Sequence, residues 1–264
     1  LSTLKTPAAP AGLAIFVKTP GLSPVKSRLW PTLGRASAER LYRRMAAAVA
    51  SSTRPVPRSA LTCYWAVAED HQAARRCWRR LPTLPQGEGD LGARMHAVQQ
   101  ELLLRHQSWL LTGADAVLLD ARAHLRPALD WLAHPSPRIV FGPAEDGGFW
   151  LVGGNYPLPI TVWQAPRYSS PHALADLLDA LRTMPVPPEI LSLPAASDLD
   201  SIEDLPAVCS ELSARRGLHR ERRRLLRRLS RLGPEPRSTM TGLPLAVTAS
   251  LTAIRSSHRI ASGR

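Results

Sequence analysis

The chain holds 264 residues, 34 Lys+Arg against 21 Asp+Glu, 44% apolar residues and three cysteines. The apolar share builds a core and excludes wholesale disorder, and no uninterrupted apolar run of about 18 residues exists to span a membrane. Cys63, Cys77 and Cys209 are odd in number, far apart and in no C-x-x-C pair. That excludes a disulfide framework or zinc knuckle and points to a reducing, cytoplasmic compartment.

The net charge of +13 belongs to one end. Residues 1–210 carry 21 basic and 18 acidic residues (+3), and residues 211–264 carry 13 and 3 (+10). The body is therefore no nucleic-acid binder by charge. Of 34 basic residues only three are lysines, and two of these, Lys18 and Lys26, share one loop. A compact ammonium in that loop does what a planar guanidinium would not.

In chain order, residues 1–11 read as a flexible leader and 13–17 as a buried strand ending at Lys18-Thr19-Pro20. A helix over 39–49 has Ser37 as its cap. Strand 62–67 and helix 71–80 follow. Residues 81–86 contain Pro82 and Pro85 and make a poor strand. Gly87-Glu88-Gly89-Asp90-Leu91-Gly92 then opens a helix running to about residue 106. The G-x-G-x-x-G match lacks the preceding strand that a dinucleotide site requires, so nicotinamide and flavin are set aside. The loop either serves as a turn or offers its N–H groups to an anion.

Strand 109–113 ends at Ala114-Asp115, helix 121–133 follows, and strands 138–142 and 149–153 flank a tight Gly-rich connection. A helix over 170–181 and a strand over 190–194 complete the alternation. Such alternation predicts an α/β fold with a mostly parallel, mixed sheet flanked by helices. From Ser201 a helix continues to 232 with a break at Gly217. Its 211–232 part is a basic amphipathic helix, with Leu218, Leu225, Leu229 and Leu232 on one face among arginines. Its plain reading is leucines packed on the body with arginines in solvent. Residues 233–264 read as a disordered tail. The eight histidines are scattered and read mostly as surface residues.

The aspartates carry the chemistry. Asp115 follows a strand directly, where open α/β sheets bind ligands. Asp146 lies between two strands beside Gly147 and Gly148, which would let a ligand approach the backbone. Asp200 either caps the last helix or joins Asp115, while Asp198, Glu203 and Asp204 read as solvated. Two carboxylates within about 4 Å repel by roughly 4 kcal/mol at a near-surface dielectric. Mg²⁺ or Mn²⁺ would remove that cost and clamp a diphosphate. Lys18, Lys26 and Arg28 would then face the phosphates.

Four blocks resemble a known family. They are Val17-Lys18-Thr19-Pro20 with Ser23-Pro24-Val25-Lys26-Ser27-Arg28-Leu29, then Gln86-Gly87-Glu88-Gly89-Asp90-Leu91-Gly92-Ala93-Arg94-Met95. Gly142-Pro143-Ala144-Glu145-Asp146-Gly147-Gly148-Phe149-Trp150-Leu151 and Asp198-Leu199-Asp200-Ser201-Ile202-Glu203-Asp204-Leu205 follow in order. Together they resemble bacterial GT-A-type glycosyltransferases of the rSAM/selenodomain-associated kind, within the nucleotide-diphospho-sugar transferase superfamily. The resemblance spans about residues 12–210 and implies a three-layer GT-A-like fold over them.

It further implies a metal-dependent transferase using a nucleotide-diphospho-sugar donor and an acceptor that the sequence does not identify. On that footing Asp115 and Asp200 would hold Mg²⁺ or Mn²⁺. Lys18, Lys26, Arg28, Gly87, Gly89, Arg94, Gly147 and Gly148 would bind substrate, and Asp146, with Asp115, would serve catalysis. A nucleotidyltransferase on the same fold and a silent nucleotide-binding homologue are the rivals. One departure stands out: the family's proline two residues after the first aspartate is Val117 here. A proline would fix the turn that presents Asp115.

Overall fold

The computed structural model describes residues 10–197, 199–215 and 217–232. Of the expected leader, residues 1–9 lie outside the described residues, as do Asp198 and the expected tail from Gly233. By contacts the chain divides after Gly233 into two units, and all the described residues belong to the first.

Among the described residues seven strands form one sheet in the order β3-β2-β1-β4-β6-β5-β7. They are Ala11–Val17 (β1), Leu61–Val67 (β2), Thr83–Pro85 (β3), Ser108–Gly113 (β4), Arg138–Pro143 (β5), Phe149–Gly154 (β6) and Glu189–Ser192 (β7). Only β6 runs against its neighbours β4 and β5. The other pairings are parallel. The expected mixed, mostly parallel sheet is thus what forms.

β1 is apolar without interruption because both its faces are covered. Leu13, Ile15 and Val17 pack on one side with helices Arg35–Ser52 (α2), Arg126–Leu132 (α5), Leu205–Ala214 (α8) and Arg220–Leu229 (α9). Ala14 packs on the other with Leu91–Leu103 (α4), Ile160–Gln164 (α6) and Ala173–Arg182 (α7). β1 pairs with β2 on one edge and β4 on the other. The crevice past the carboxyl ends of β1 and β4 is therefore the place where such sheets bind ligands.

Several local expectations are corrected. Residues 81–86 do contribute a strand. β3 pairs with β2 at the sheet edge, where Pro82 gives only its carbonyl, to Trp65 N–H, and prolines are tolerated. The helix expected to be capped by Ser37 begins at Arg35 after Gly34, preceded by a short turn of helix over Trp30–Leu33. The C-terminal helix starts at Leu205 rather than Ser201, and the expected break at Gly217, φ +70°, divides it into α8 and α9.

Residues 200–204 stay out of α8 because the Asp204 carboxylate accepts from the Asp200 and Ser201 N–H groups at 2.9 and 2.7 Å. Asp204 is thus a turn staple rather than a solvated charge. Two histidines are not on the surface: His106 and His124 are both buried.

Candidate active site

The loop leaving β1 is tied down before it reaches the crevice. Both Glu69 carboxylate oxygens accept from the Thr19 N–H at 2.9 Å, and Ser23 Oγ donates to the same side chain. Trp78 Nε1 donates to the Thr19 hydroxyl at 3.1 Å, and the Lys18 N–H donates to Tyr42 Oη at 3.0 Å. Burial pushes the Tyr42 phenol well above its ordinary pKa, so it stays protonated.

Held this way, the chain turns at Lys26 into the left-handed region, φ 47° and ψ 45°. A long side chain is seldom placed there. The turn drives the ammonium inward: the Lys26 side chain is only 6% exposed, against 32% for Asp115 and 46% for Asp200.

Lys26 Nζ bridges the two carboxylates. It donates to Asp115 Oδ2 at 2.9 Å and more closely to Asp200 Oδ1. Arg28 Nη1 stands 3.7 Å from the other Asp200 oxygen. Burial disfavours the lysine's charge, but the two carboxylates outweigh it and hold the ammonium above its ordinary pKa. Asp115 is held below the usual carboxylate range by Lys26, against the opposing effect of its own burial.

Asp115 is presented by a tight turn. Gly113 precedes it, and a Cβ there would sit 2.2 Å from Asp115 Oδ1, so the carboxylate folds back over the strand end only because that position is glycine. The Val117 N–H donates to the Asp115 carbonyl at 2.6 Å. A proline could not make that bond, so the turn is closed here by a different device.

The far side of the same loop is gripped by the C-terminal helices. Arg222, its side chain 5% exposed, donates from Nη2 to the Val117 carbonyl at 3.1 Å and pairs with Asp120 at 3.5 Å. Arg215 donates to the Leu118 carbonyl and also approaches Asp120.

Lys18, Lys26, Arg28, Gly89, Arg94, Asp115 and Asp200 all line one cleft of about 590 Å³. Four expected residues do not. Gly87 turns toward a separate hollow beside Glu69 and Asp70. Asp146 caps its own turn, its Oδ1 accepting the Gly148 N–H at 3.0 Å, and it does not line the cleft. Gly147, at φ +85°, lies against Pro171, whose carbonyl oxygen would be 2.1 Å from an added Cβ. The glycine serves packing there, not ligand approach. Gly148 lines a neighbouring chamber instead.

The Gly-rich loop does open α4, yet the Asp90 carboxylate itself accepts from the Ala93 N–H at 2.8 Å. A negative charge already occupies that helix start, so the anion reading of the loop loses to the turn reading. Arg94 Nε is spent on the Gly89 carbonyl at 3.0 Å.

Tyr42, Gln86, Gly113 and Ser169 also line the cleft, and the sequence reading did not single them out. Ser169, at φ +60°, is with Lys26 one of two non-glycine residues at positive φ among the described residues. Both lie in the cleft, where strained backbone tends to gather.

The sequence of residues 49–170 matches the family described as an uncharacterized protein conserved in bacteria, DUF2064. The second and third motif blocks fall inside that stretch, and the first and last outside it. No curated protein matches the sequence. Among solved structures, the fold overlays on a provisionally named nucleotide-diphospho-sugar transferase from Desulfovibrio desulfuricans G20. The TM-score is 0.71 and the identity 24%, over 85% of this chain and 96% of that one.

A 4-diphosphocytidyl-2C-methyl-D-erythritol synthase from Anaerococcus prevotii DSM 20548 overlays at TM-score 0.49 and 8% identity, over 78% of this chain and 99% of that one. A glucosyl-3-phosphoglycerate synthase from Mycobacterium tuberculosis, in complex with Mn²⁺ and uridine diphosphate, overlays at 0.42 and 8%, over 78% and 79%. These two overlays are too loose to bear on chemistry. Over residues 49–170 the chain carries the pattern of the bacterial family DUF2064, and it folds like a nucleotide-diphospho-sugar transferase, as its motifs led us to expect.

Proposed function

We propose that the chain is a transferase that binds a nucleotide-diphospho-sugar donor in the cleft past β1 and β4, with a divalent ion held by Asp115 and Asp200. The observation that carries this reading is the convergence of two aspartates from distant segments on one buried cation. Lys26 Nζ, 2.9 Å from Asp115 and closer to Asp200, marks a point that two carboxylates already share.

That donor set fits Mg²⁺ or Mn²⁺. Such ions take one or two carboxylates and complete their shell with substrate phosphate and water. Among the described residues no group of three or more His, Cys, Asp and Glu offers a fuller protein cage. When bound, the ion would clamp the diphosphate oxygens and offset the charge that gathers on the leaving group.

The chain's own residues do the rest. Lys26 keeps the two carboxylates together before substrate arrives, then releases them and turns its ammonium to phosphate. Lys18 and Arg28, both on the open side of the cleft, meet the remaining phosphate charge. The hydrogen-bonded turn at Val117 and the grip of Arg222 keep Asp115 presented without a proline. That favours an active protein over a silent homologue.

Calorimetry with a panel of nucleoside diphosphates and Mn²⁺ tests the reading. Wild-type protein should bind one of them, and Asp115→Asn should lose at least about a hundredfold in affinity, the worth of one buried charge contact. Unchanged affinity in Asp115→Asn removes the site. Sugar-nucleotide turnover to a nucleoside diphosphate supports the reading, whereas pyrophosphate release from a nucleoside triphosphate would assign the cleft to nucleotidyl transfer.

A further inference from the structure

Beside the charged cleft lies a second chamber of about 220 Å³, and its lining is of another kind. Leu91, Met95, Phe149 and Tyr168 form its walls, and it shares Phe16, Leu91, Gly113 and Ser169 with the cleft. The two spaces therefore join at the carboxyl ends of β1 and β4, next to Asp115. Leu91 is 45% exposed at this junction, although it is a large apolar side chain.

Two polar side chains of the chamber are already engaged. Thr112 Oγ1 donates to the Trp150 carbonyl at 2.7 Å, and Tyr168 Oη donates to the Trp163 carbonyl at 2.6 Å. The Gly148 N–H donates to Asp146. Trp150 turns its indole away to the other face of the sheet, its ring 4.8 Å from that of His124, so its Nε1, buried without a partner among the described residues, does not face the chamber. Ser169 stands at the mouth, where it lines both the chamber and the cleft.

A hydroxyl-rich ring entering the chamber would leave its own donors and acceptors unpaired, which is costly. An apolar ring meets aromatic and aliphatic walls and loses nothing.

We propose that this chamber seats the apolar body of the acceptor: a neutral alcohol with one aromatic ring or a compact aliphatic group, its hydroxyl turned toward Asp115. The proposal rests on the transferase reading above. In the transfer it serves, the acceptor oxygen bonds to the anomeric carbon of the donor sugar as the bond from that carbon to the diphosphate breaks. The electron pair leaves with the diphosphate, and the hydroxyl proton passes to water.

Saturation-transfer NMR with benzyl alcohol as the probe and glucose as the hydroxyl-rich control tests it on the full chain. Wild-type protein should bind benzyl alcohol saturably and show no glucose binding. Leu91→Glu, at an exposed position, and Phe149→Ser, at the wall, should each weaken benzyl alcohol by at least about tenfold through lost apolar contact. Circular dichroism checks that both variants fold, and Leu91→Glu serves if Phe149→Ser does not.

No benzyl alcohol binding, binding unaffected by Leu91→Glu, or glucose bound as well as benzyl alcohol overturns the proposal. Uridine diphosphate with Mn²⁺ is titrated in the same samples. If the nucleotide binds and benzyl alcohol does not, the chamber proposal alone falls. If benzyl alcohol binds through Leu91 while the whole nucleoside diphosphate panel fails, the transferase reading falls and takes the acceptor role with it.

Discussion

Lys26 and Arg222 are the same in charge and nearly the same in burial, and they grip opposite ends of one loop, residues 113–120. Their surroundings push them in opposite directions. Lys26 faces two carboxylates and is held above its ordinary pKa. For Arg222, burial and the neighbouring Arg215 outweigh Asp120 and lower the pKa, and its Nε–H finds no partner among the described residues. At the first, two carboxylates share one buried ammonium and the space opens on a cleft, which suits exchange of one cation for another. The other is short of negative charge and closed, which suits a bracket that never lets go.

The contrast is sharpened or broken by four variants. Arg222→Met should cost the most in stability, about 3 kcal/mol, because it strips a buried hydrogen-bonded charge from the Val117 carbonyl and Asp120. Thermal unfolding should then fall by roughly 6–12 °C. A drop of less than about 1 °C would mean the bracket holds nothing. Lys26→Met should cost about 2 kcal/mol by leaving two carboxylates facing each other. It should also raise the affinity for Mn²⁺ alone at least about tenfold, since no ammonium competes for the same oxygens. Calorimetry with Mn²⁺ and no nucleotide reads this directly, and weaker Mn²⁺ binding would end the idea of an exchangeable cation.

His124 lies on the Arg222 side of the loop. Burial, with Arg215 and Arg222 nearby, lowers its pKa to about 4. Its Nδ1 accepts the Asp120 N–H at 3.0 Å, which only the neutral ring can do. The unfolded chain therefore binds the proton first, and stability is whole above about pH 6.5. As pH falls from there to about 4 the fold should lose about 1–2 kcal/mol. His124→Asn should flatten denaturant midpoints across that window, and an unchanged slope would refute the assignment. The smallest effect belongs to Asp146→Ala, within about 0.5 kcal/mol and without change in nucleotide affinity, because the side chain serves only its own turn. A large loss of affinity there would return Asp146 to the active site.

The placement of Asp115 and Asp200 was legible because both lie past the carboxyl ends of strands that run the same way, central β4 and edge β7, and ligands gather on that side of an α/β sheet. What Lys26 does was not. Its partners lie 89 and 174 residues away, and a lysine beside a diphosphate site reads naturally as a phosphate ligand. Asp146 misled for a related reason: an aspartate next to two glycines is the pattern of a catalytic loop and equally of a self-capped turn. Edge strand β3 was hidden by its prolines. Arg222 did leave a trace, since it falls three and seven residues before Leu225 and Leu229, on the face that packs inward. Among so many arginines, one at an apolar register was easy to count with the rest.

The bracket also orders events in time. Arg215 and Arg222 lie 97 and 105 residues downstream of the carbonyls they hold. A ribosome adding about 5–20 residues per second takes roughly 5–20 s to make that stretch. Through that interval the loop after β4 exists without its fastener while β5, β6 and β7 are still being made, so α9, which follows every one of these strands, is the helix that finishes the cleft.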